Sequence, residues 1–218
     1  MSKTTYSPEI IEAFSRIATA SVSDALQSLG VHGYVSSDIR RVTGTRIVGP
    51  AVTVKEGPTD ESVPPQHALE AIDAAASGSV IVIDNGGEPN VAAWGGLMTA
   101  GAVANGLAGV VLDTGVRDVE EITRDFGFTV FARATSPATT VGRFKTLSSG
   151  EAVQIGGVTV NHGDLVVGDG DGIVVVPQAL VSETLALAQD IEEREREQTR
   201  LILDSGSLAV GLTKYNRI

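Results

Sequence analysis

Arg117 and Asp118 adjoin in VVLDTGVRDVEEI (110–122), a buried-strand pattern followed by a glycine turn and the start of a helical pattern. An arginine carries a planar pair of N–H donors suited to a carboxylate, and the aspartate beside it offers hard oxygen. Ligands of α/β sheets sit outside the carboxyl ends of strands, so this turn falls where sites form. Two plainer readings stay open: Asp118 capping the helix that starts beside it, and Arg117 in a surface ion pair. A second stretch, DNGGEPNVAAWGGLMTAGA (84–102), places two Gly-Gly pairs around a helix entry. Such an entry leaves the amides of Leu97 and Met98 free to bind an anion such as a carboxylate. The same glycines, Gly95 and Gly96 among them, also suit close packing of a helix on a sheet.

Other chemistries find no support. The chain has no cysteine, which removes disulfides, thiolate metal sites and cysteine nucleophiles together. His32, His67 and His162 fall near turns without metal-ligand spacing, and no Gly-x-Ser-x-Gly elbow accompanies them. Gly-Asp-Gly-Asp-Gly at 168–172 lacks the remaining ligands of a calcium loop and reads as a tight turn. None of Lys3, Lys55, Lys145 and Lys214 sits in an apolar strand that would desolvate it for Schiff-base chemistry. A net charge of −11 excludes nucleic acid as a partner, since phosphate binding needs clustered Lys and Arg. No apolar run reaches membrane-spanning length and the N-terminus lacks the apolar centre of a signal peptide, so a cytoplasmic location is expected.

These residues must be held by a frame, and the frame is α/β. Ser7-Pro8 opens a helix with Ile11, Phe14, Ile17 and Ala18 on one face, and a second helix runs over 21–29 to Gly30. Residues 46–55 read as strand, 66–76 as helix, and SVIVID (79–84) as a strand buried on both faces. Then follow a helix over 97–105, a strand over 108–112, a helix over 118–126 and a strand over 129–132. This alternation implies βαβ units and a parallel sheet. Short strands separated by glycine turns over 151–176 suggest a second, antiparallel sheet, and a long helix over about 178–203 closes the core. The predicted whole is a single domain over 1–218. Within the last helix, EEREREQTR (192–200) fits a solvated face, or an arm that places an acid in a neighbouring subunit's site.

AWGGLMTAGAVANGLAGVVLDTGVRD (93–118) resembles the signature of the RraA-like family. SVSDAL (21–26), GPAVTV (49–54), GSVIVID (78–84), VNHGDLVVGDGDGIVVVP (160–177) and the charged closing helix follow in family order. That family includes the class II 4-hydroxy-4-methyl-2-oxoglutarate / 4-carboxy-4-hydroxy-2-oxoadipate aldolases and the regulators of ribonuclease activity. The resemblance implies an α-β-β-α sandwich assembled as a homotrimer or hexamer with sites between subunits. It implies that Arg117 binds a small 2-oxo acid, that Asp118 holds Mg²⁺ or Mn²⁺, and that the Leu97 and Met98 amides beside Gly95 receive the substrate carboxylate. Asp24 and Glu195 match acids donated by the neighbouring subunit, with Glu197 a competitor one slip away. Gly96 departs from the pattern: the aldolases carry an acid there, and losing a carboxylate weakens the hold on a hard cation.

The expected activity is metal-dependent cleavage or decarboxylation of small 2-oxo acids through a pyruvate enolate, as in aldol cleavage of 4-hydroxy-4-methyl-2-oxoglutarate or decarboxylation of oxaloacetate. A non-catalytic acidic binding protein resembling the ribonuclease regulators is the alternative. The loop at 57–65 departs from the family, and the pocket formed by 57–67 would set the substrate.

Overall fold

In VIVID, alternate side chains of one strand face two different cores, and the whole architecture follows from that. The computed structural model describes residues 5–215. The ends of the expected 1–218 domain, Lys3 included, lie outside the described residues. Strand β3 (Val80–Asp84) lies between β2 (Ile47–Pro58) and β5 (Gly109–Val116), parallel to both, and β6 (Val130–Thr135) continues the parallel run beyond β5. Val80 and Val82 point into one core with Ala51, Val111, Phe131 and Val166. Ile81 and Ile83 point into the other with Val52, Val54, Val110 and Leu112. A strand covered on both faces has no polar side, so its sequence is apolar throughout.

Around this parallel centre the sheet is antiparallel. The strand β1 (Arg40–Thr43) borders β6, and the hairpin β10 (Leu165–Gly168) and β11 (Ile173–Val176) extends the sheet from β2. The order is β1-β6-β5-β3-β2-β10-β11, with β4 (Ala92–Trp94) paired to β5 and β7 (Phe144–Ser149) paired to β2. The second sheet is the small ribbon β8 (Val153–Ile155) with β9 (Val158–Val160). Its Val153, Ile155, Val158 and Val160 close the inner core that the curled main sheet surrounds. The meander expected over 151–176 thus divides: its first half forms the second sheet, and its second half joins the first.

Helices cover the outside. The helices α3 (Gln66–Ala74) and α4 (Gly96–Ala104) pack on the outer face of β2, β3 and β5 through Ala68, Ala71, Ile72 and Ala102. Helix α1 (Pro8–Ser15), capped by Ser7 as its sequence predicts, joins α2 (Thr19–Ser28) and α6 (Val181–Ser205) over β10 and β11. The short α5 (Val119–Glu121) follows β5, and α7 (Leu208–Tyr215) ends the described chain. Lacking a cap residue of its own, α2 is capped from α6: Glu192 accepts from the Ala18 amide (3.0 Å) and the Ser21 hydroxyl (2.9 Å). The turn at 168–172 is tied likewise, Asp169 accepting from the Thr19 amide and hydroxyl, which agrees with a structural turn. No helix among the described residues is long and apolar enough to cross a membrane.

One buried carboxylate does not pair with a cation. Glu56, on β2 and 2% exposed, accepts a 2.6 Å hydrogen bond from the Asn85 amide, while its other oxygen has no partner among the described residues. Burial pushes its pKa up from 4.5 to about 7, against the opposing pull of the Asn85 hydrogen bond. Between those values the folded chain holds a proton that the unfolded chain has released, so stability falls as pH rises through this window. The loss amounts to about 3 kcal/mol once pH exceeds 7. Glu56→Gln, which cannot ionise, is expected to flatten the melting temperature between pH 5 and 8 and to exceed the wild type at pH 8. A parallel decline in both proteins would contradict this origin of the pH dependence.

Candidate active site

The strand β5 does not stop at Leu112 but runs on through Thr114-Gly115-Val116, because β4 comes alongside its end. Gly115 makes that approach possible: a Cβ there would stand 2.8 Å from the Val91 carbonyl, which accepts the Gly115 amide at 2.9 Å. The Arg117 amide then donates to the Trp94 carbonyl (3.0 Å), and this fixes the Arg117–Asp118 turn against the Gly95–Gly96 turn. Trp94 is the anchor beneath both. It is 1% exposed, lies parallel to Phe128 with centroids 6.2 Å apart, and donates from Nε1 to Thr99 Oγ1 at 2.8 Å. Thr99 in turn donates to the Gly95 carbonyl (3.0 Å), which ties the indole to the first turn of α4.

Asp118 does not cap the helix that follows it, contrary to the sequence expectation. Its backbone is left-handed (φ 58°), and its side chain makes no hydrogen bond to α5. The turn swings the carboxylate across to the neighbouring helix, where Oδ2 accepts from the Gly96 amide at 3.0 Å. Asp118 therefore caps α4. The helix expected over 118–126 is correspondingly irregular: three residues of α5, then a wider π-type turn over Ile122–Phe126 closed by Gly127. In α4 the amides of Leu97 and Met98 meet no acceptor among the described residues, as helix entries leave their first donors unpaired. The Leu97 side chain is 89% exposed, whereas Met98 packs on the outer core.

The guanidinium of Arg117 approaches Asp118 through a single 3.6 Å contact, and both side chains are more than a third exposed. Neither is locked in a bidentate pair. A cavity of about 330 Å³ opens beside them, lined by Val116, Arg117, Asp118, Val119, Thr135, Ser136 and Pro137. That volume accommodates a small acid. Side chains of the neighbouring turn crowd both glycines. A Cβ at position 95 would stand 2.6 Å from Asp118 Oδ2 and 3.0 Å from Arg117 Cγ. One at position 96 would stand 2.6 Å from Glu121 Oε1. Gly95 and Gly96 thus lie against Arg117 and Asp118, and Leu97 and Met98 follow them in the first turn of α4.

Asp24 and Glu195 do not join them within one chain. Asp24 lies on α2 and Glu195 on α6, over the β10–β11 end of the sheet, and three strands intervene between β5 and β11. Glu195 is exposed, while Glu197 bonds to Lys214 (2.6 Å) and to the Tyr215 hydroxyl. Of the two, Glu195 is the one that no side-chain hydrogen bond or ion pair holds among the described residues. The side-chain oxygens at the cavity are the Asp118 carboxylate and the Thr135 and Ser136 hydroxyls, without thiolate or imidazole, a set that suits Mg²⁺ or Mn²⁺ over zinc. No group of three or more acidic, His or Cys side chains among the described residues could hold a metal alone. A cation at Asp118 would draw its remaining ligands from water, substrate or another copy of the chain. Glu121 and the Thr135-Ser136-Pro137 wall escaped the sequence reading, although Ser-Pro directly after a strand is a signal for a site-lining turn.

The Aldolase/RraA family description, RraA-like, matches residues 19–175. The chain is 31% identical over 201 residues to a Halalkalibacterium halodurans protein provisionally named 4-hydroxy-4-methyl-2-oxoglutarate aldolase, covering 90% of each. It is 33% identical over 185 residues to Protein DlpA of Legionella pneumophila, covering 83% of this chain but only 30% of that longer protein. Among solved structures it superposes on Streptomyces coelicolor RraAS2, described as an unusual member of the RNase ES inhibitor RraA protein family. That match has a TM-score of 0.82 at 26% identity and covers 89% of this chain and 98% of the other. The chain belongs to the RraA-like (Aldolase/RraA) family.

Proposed function

We propose that this chain is a divalent-metal-dependent lyase that cleaves or decarboxylates small 2-oxo acids to pyruvate. The observation that carries the reading is the Arg117 guanidinium, held by a single 3.6 Å contact and lining a small cavity together with Asp118, whose carboxylate accepts from the first amide of α4, the helix whose Leu97 and Met98 amides are unpaired. Together these make a carboxylate receptor. Asp118 would hold the cation, and Mg²⁺ or Mn²⁺ there would supply Lewis acidity to the bound oxo acid. Arg117 orients the oxo-acid head and stabilises negative charge as it develops on the oxo oxygen. The helix amides would receive the carboxylate end, and Thr135 and Ser136 line the same cavity as Arg117. An acid from a neighbouring copy, Asp24 or Glu195 in a trimer or hexamer, takes the proton of the substrate's C4 hydroxyl and returns it to the product carbon.

The test is pyruvate release from oxaloacetate and from 4-hydroxy-4-methyl-2-oxoglutarate, with Mg²⁺ or Mn²⁺ and with chelator. Metal-dependent release from either is the expected result; none from both, at high enzyme and metal, refutes the reading. The net charge of −11 and the likeness to the Streptomyces fold favour one other reading, an acidic binder of a basic protein. Capture of a ribonuclease E-type enzyme at low salt, released at high salt, by a chain that yields no pyruvate would favour it.

A further inference from the structure

A second cavity, of about 530 Å³, opens at the carboxyl ends of β2 and β3, the end of a parallel sheet where ligands bind. It shares no lining residue with the cavity at Arg117. Glu56 and Asn85, 2% and 3% exposed, form its polar wall with Lys55 and Glu88. Pro58, Pro89, Phe144 and Leu147 form an apolar wall, and Leu147 is 51% exposed. The hydrogen bond between Asn85 and Glu56 takes one polar atom from each side chain. The other two, Glu56 Oε1 and Asn85 Oδ1, are buried and meet no partner among the described residues. Native chains leave few buried polar atoms unpaired, and two of them on neighbouring wall residues of one cavity call for a partner.

The surrounding groups narrow what that partner is. The donors an anion would need are engaged. The Lys55 ammonium is held by Asp84 at 2.8 Å, the Gly86 amide donates to Asp84 at 2.9 Å, and the Gly87 amide donates to the Asp113 carbonyl at 3.1 Å. An organic cation would require Glu56 ionised, against the burial that pushes its pKa up to about 7. Hydroxyl groups suit both orphaned atoms: a hydroxyl donates to Asn85 Oδ1, and it either accepts from or donates to the Glu56 carboxyl. The apolar wall suits the C–H face of the same molecule.

We propose that this cavity is a second binding site, for a small uncharged polyhydroxy molecule such as a sugar or sugar alcohol, held by Glu56 and Asn85 and packed against Phe144 and Leu147. The site is independent of the lyase reading. It gives Glu56 a role as a recognition group whose neutral carboxyl the pocket selects.

The experiment is saturation-transfer NMR of the intact protein with xylitol, D-glucose and myo-inositol, with acetate and n-butylammonium as charged comparators, followed by titration of whatever binds. At least one polyol is expected to bind, and neither charged probe. Asn85→Ala and Phe144→Ala are each expected to weaken that binding about tenfold, the loss of one hydrogen bond or one packed face. Melting temperatures confirm that the variants fold, and Phe144→Ala, at a partly exposed position, serves should Asn85→Ala not. Glu56→Gln, which reproduces the protonated carboxyl as one donor and one acceptor, should retain the affinity. Arg117→Lys should leave it unchanged. Binding by none of the three polyols would overturn the proposal, since the cavity would then hold water alone. Binding of n-butylammonium only would overturn it in favour of an amine site. Polyol binding indifferent to both alanine variants, or lost in Arg117→Lys, would overturn it by moving the polyol elsewhere.

Discussion

Arg117→Lys is expected to lower kcat/KM for pyruvate release about 10²–10³-fold, the usual cost of one pre-oriented donor at a developing oxyanion. Lysine keeps the charge but not the planar fork, so the loss measures geometry rather than electrostatics. The fold should be indifferent to the change. The guanidinium has a single 3.6 Å contact and 43% exposure, and an ion pair of that kind adds little to stability. An unchanged melting temperature with a large kinetic deficit is therefore the predicted signature. A fall in activity of less than tenfold would mean that Arg117 does not clamp the oxo acid. Asp118→Asn should behave similarly, with the defect appearing as a raised metal requirement.

The largest effect on stability is expected at Trp94. Trp94→Ala removes a fully buried indole from the outer core and breaks its hydrogen bond to Thr99, at a cost of about 3–5 kcal/mol. In a chain of this length that lowers the melting temperature by roughly 10 °C. The defect should not stay in the core. Thr99 loses the donor that orients it, and with it the bond that holds the Gly95 carbonyl at the start of α4. Catalysis should therefore fall even at temperatures where the variant is folded, and this would appear as a raised KM for the oxo acid. Trp94→Phe, which keeps the contact with Phe128 but not the N–H, separates the two contributions. Equal KM for Phe and Trp would show that packing alone positions the turn.

Much of this architecture is legible in the residues. VIVID at β3 reads as a doubly buried strand and is one, and the Ser7-Pro8 start of α1 behaves as its chemistry requires. The short strands β1, β4 and β7 were missed for a physical reason. β4 is three residues in a glycine-rich stretch, and FKTLSS in β7 alternates weakly because one side of it meets solvent. Their existence depends on partners distant in sequence, β5 and β2, which no local pattern announces. At the site, Arg117, Asp118 and the Gly-Gly turn could be picked out because their residue types are costly or unusual where they stand. The destination of the Asp118 side chain could not, because it depends on one positive φ.

That single dihedral also decides how the position can change. Among residues with side chains, only Asn and Asp adopt the left-handed region readily, and glycine adopts it freely. The replacements that spare the backbone at Asp118 are therefore Asn and Gly, and neither carries negative charge. On the lyase reading, one base change, Asp to Asn, would remove the charge while leaving a side-chain oxygen to accept from the Gly96 amide. Catalyst and non-catalytic binder become adjacent in evolutionary distance, a short step for a lineage that holds both kinds of protein.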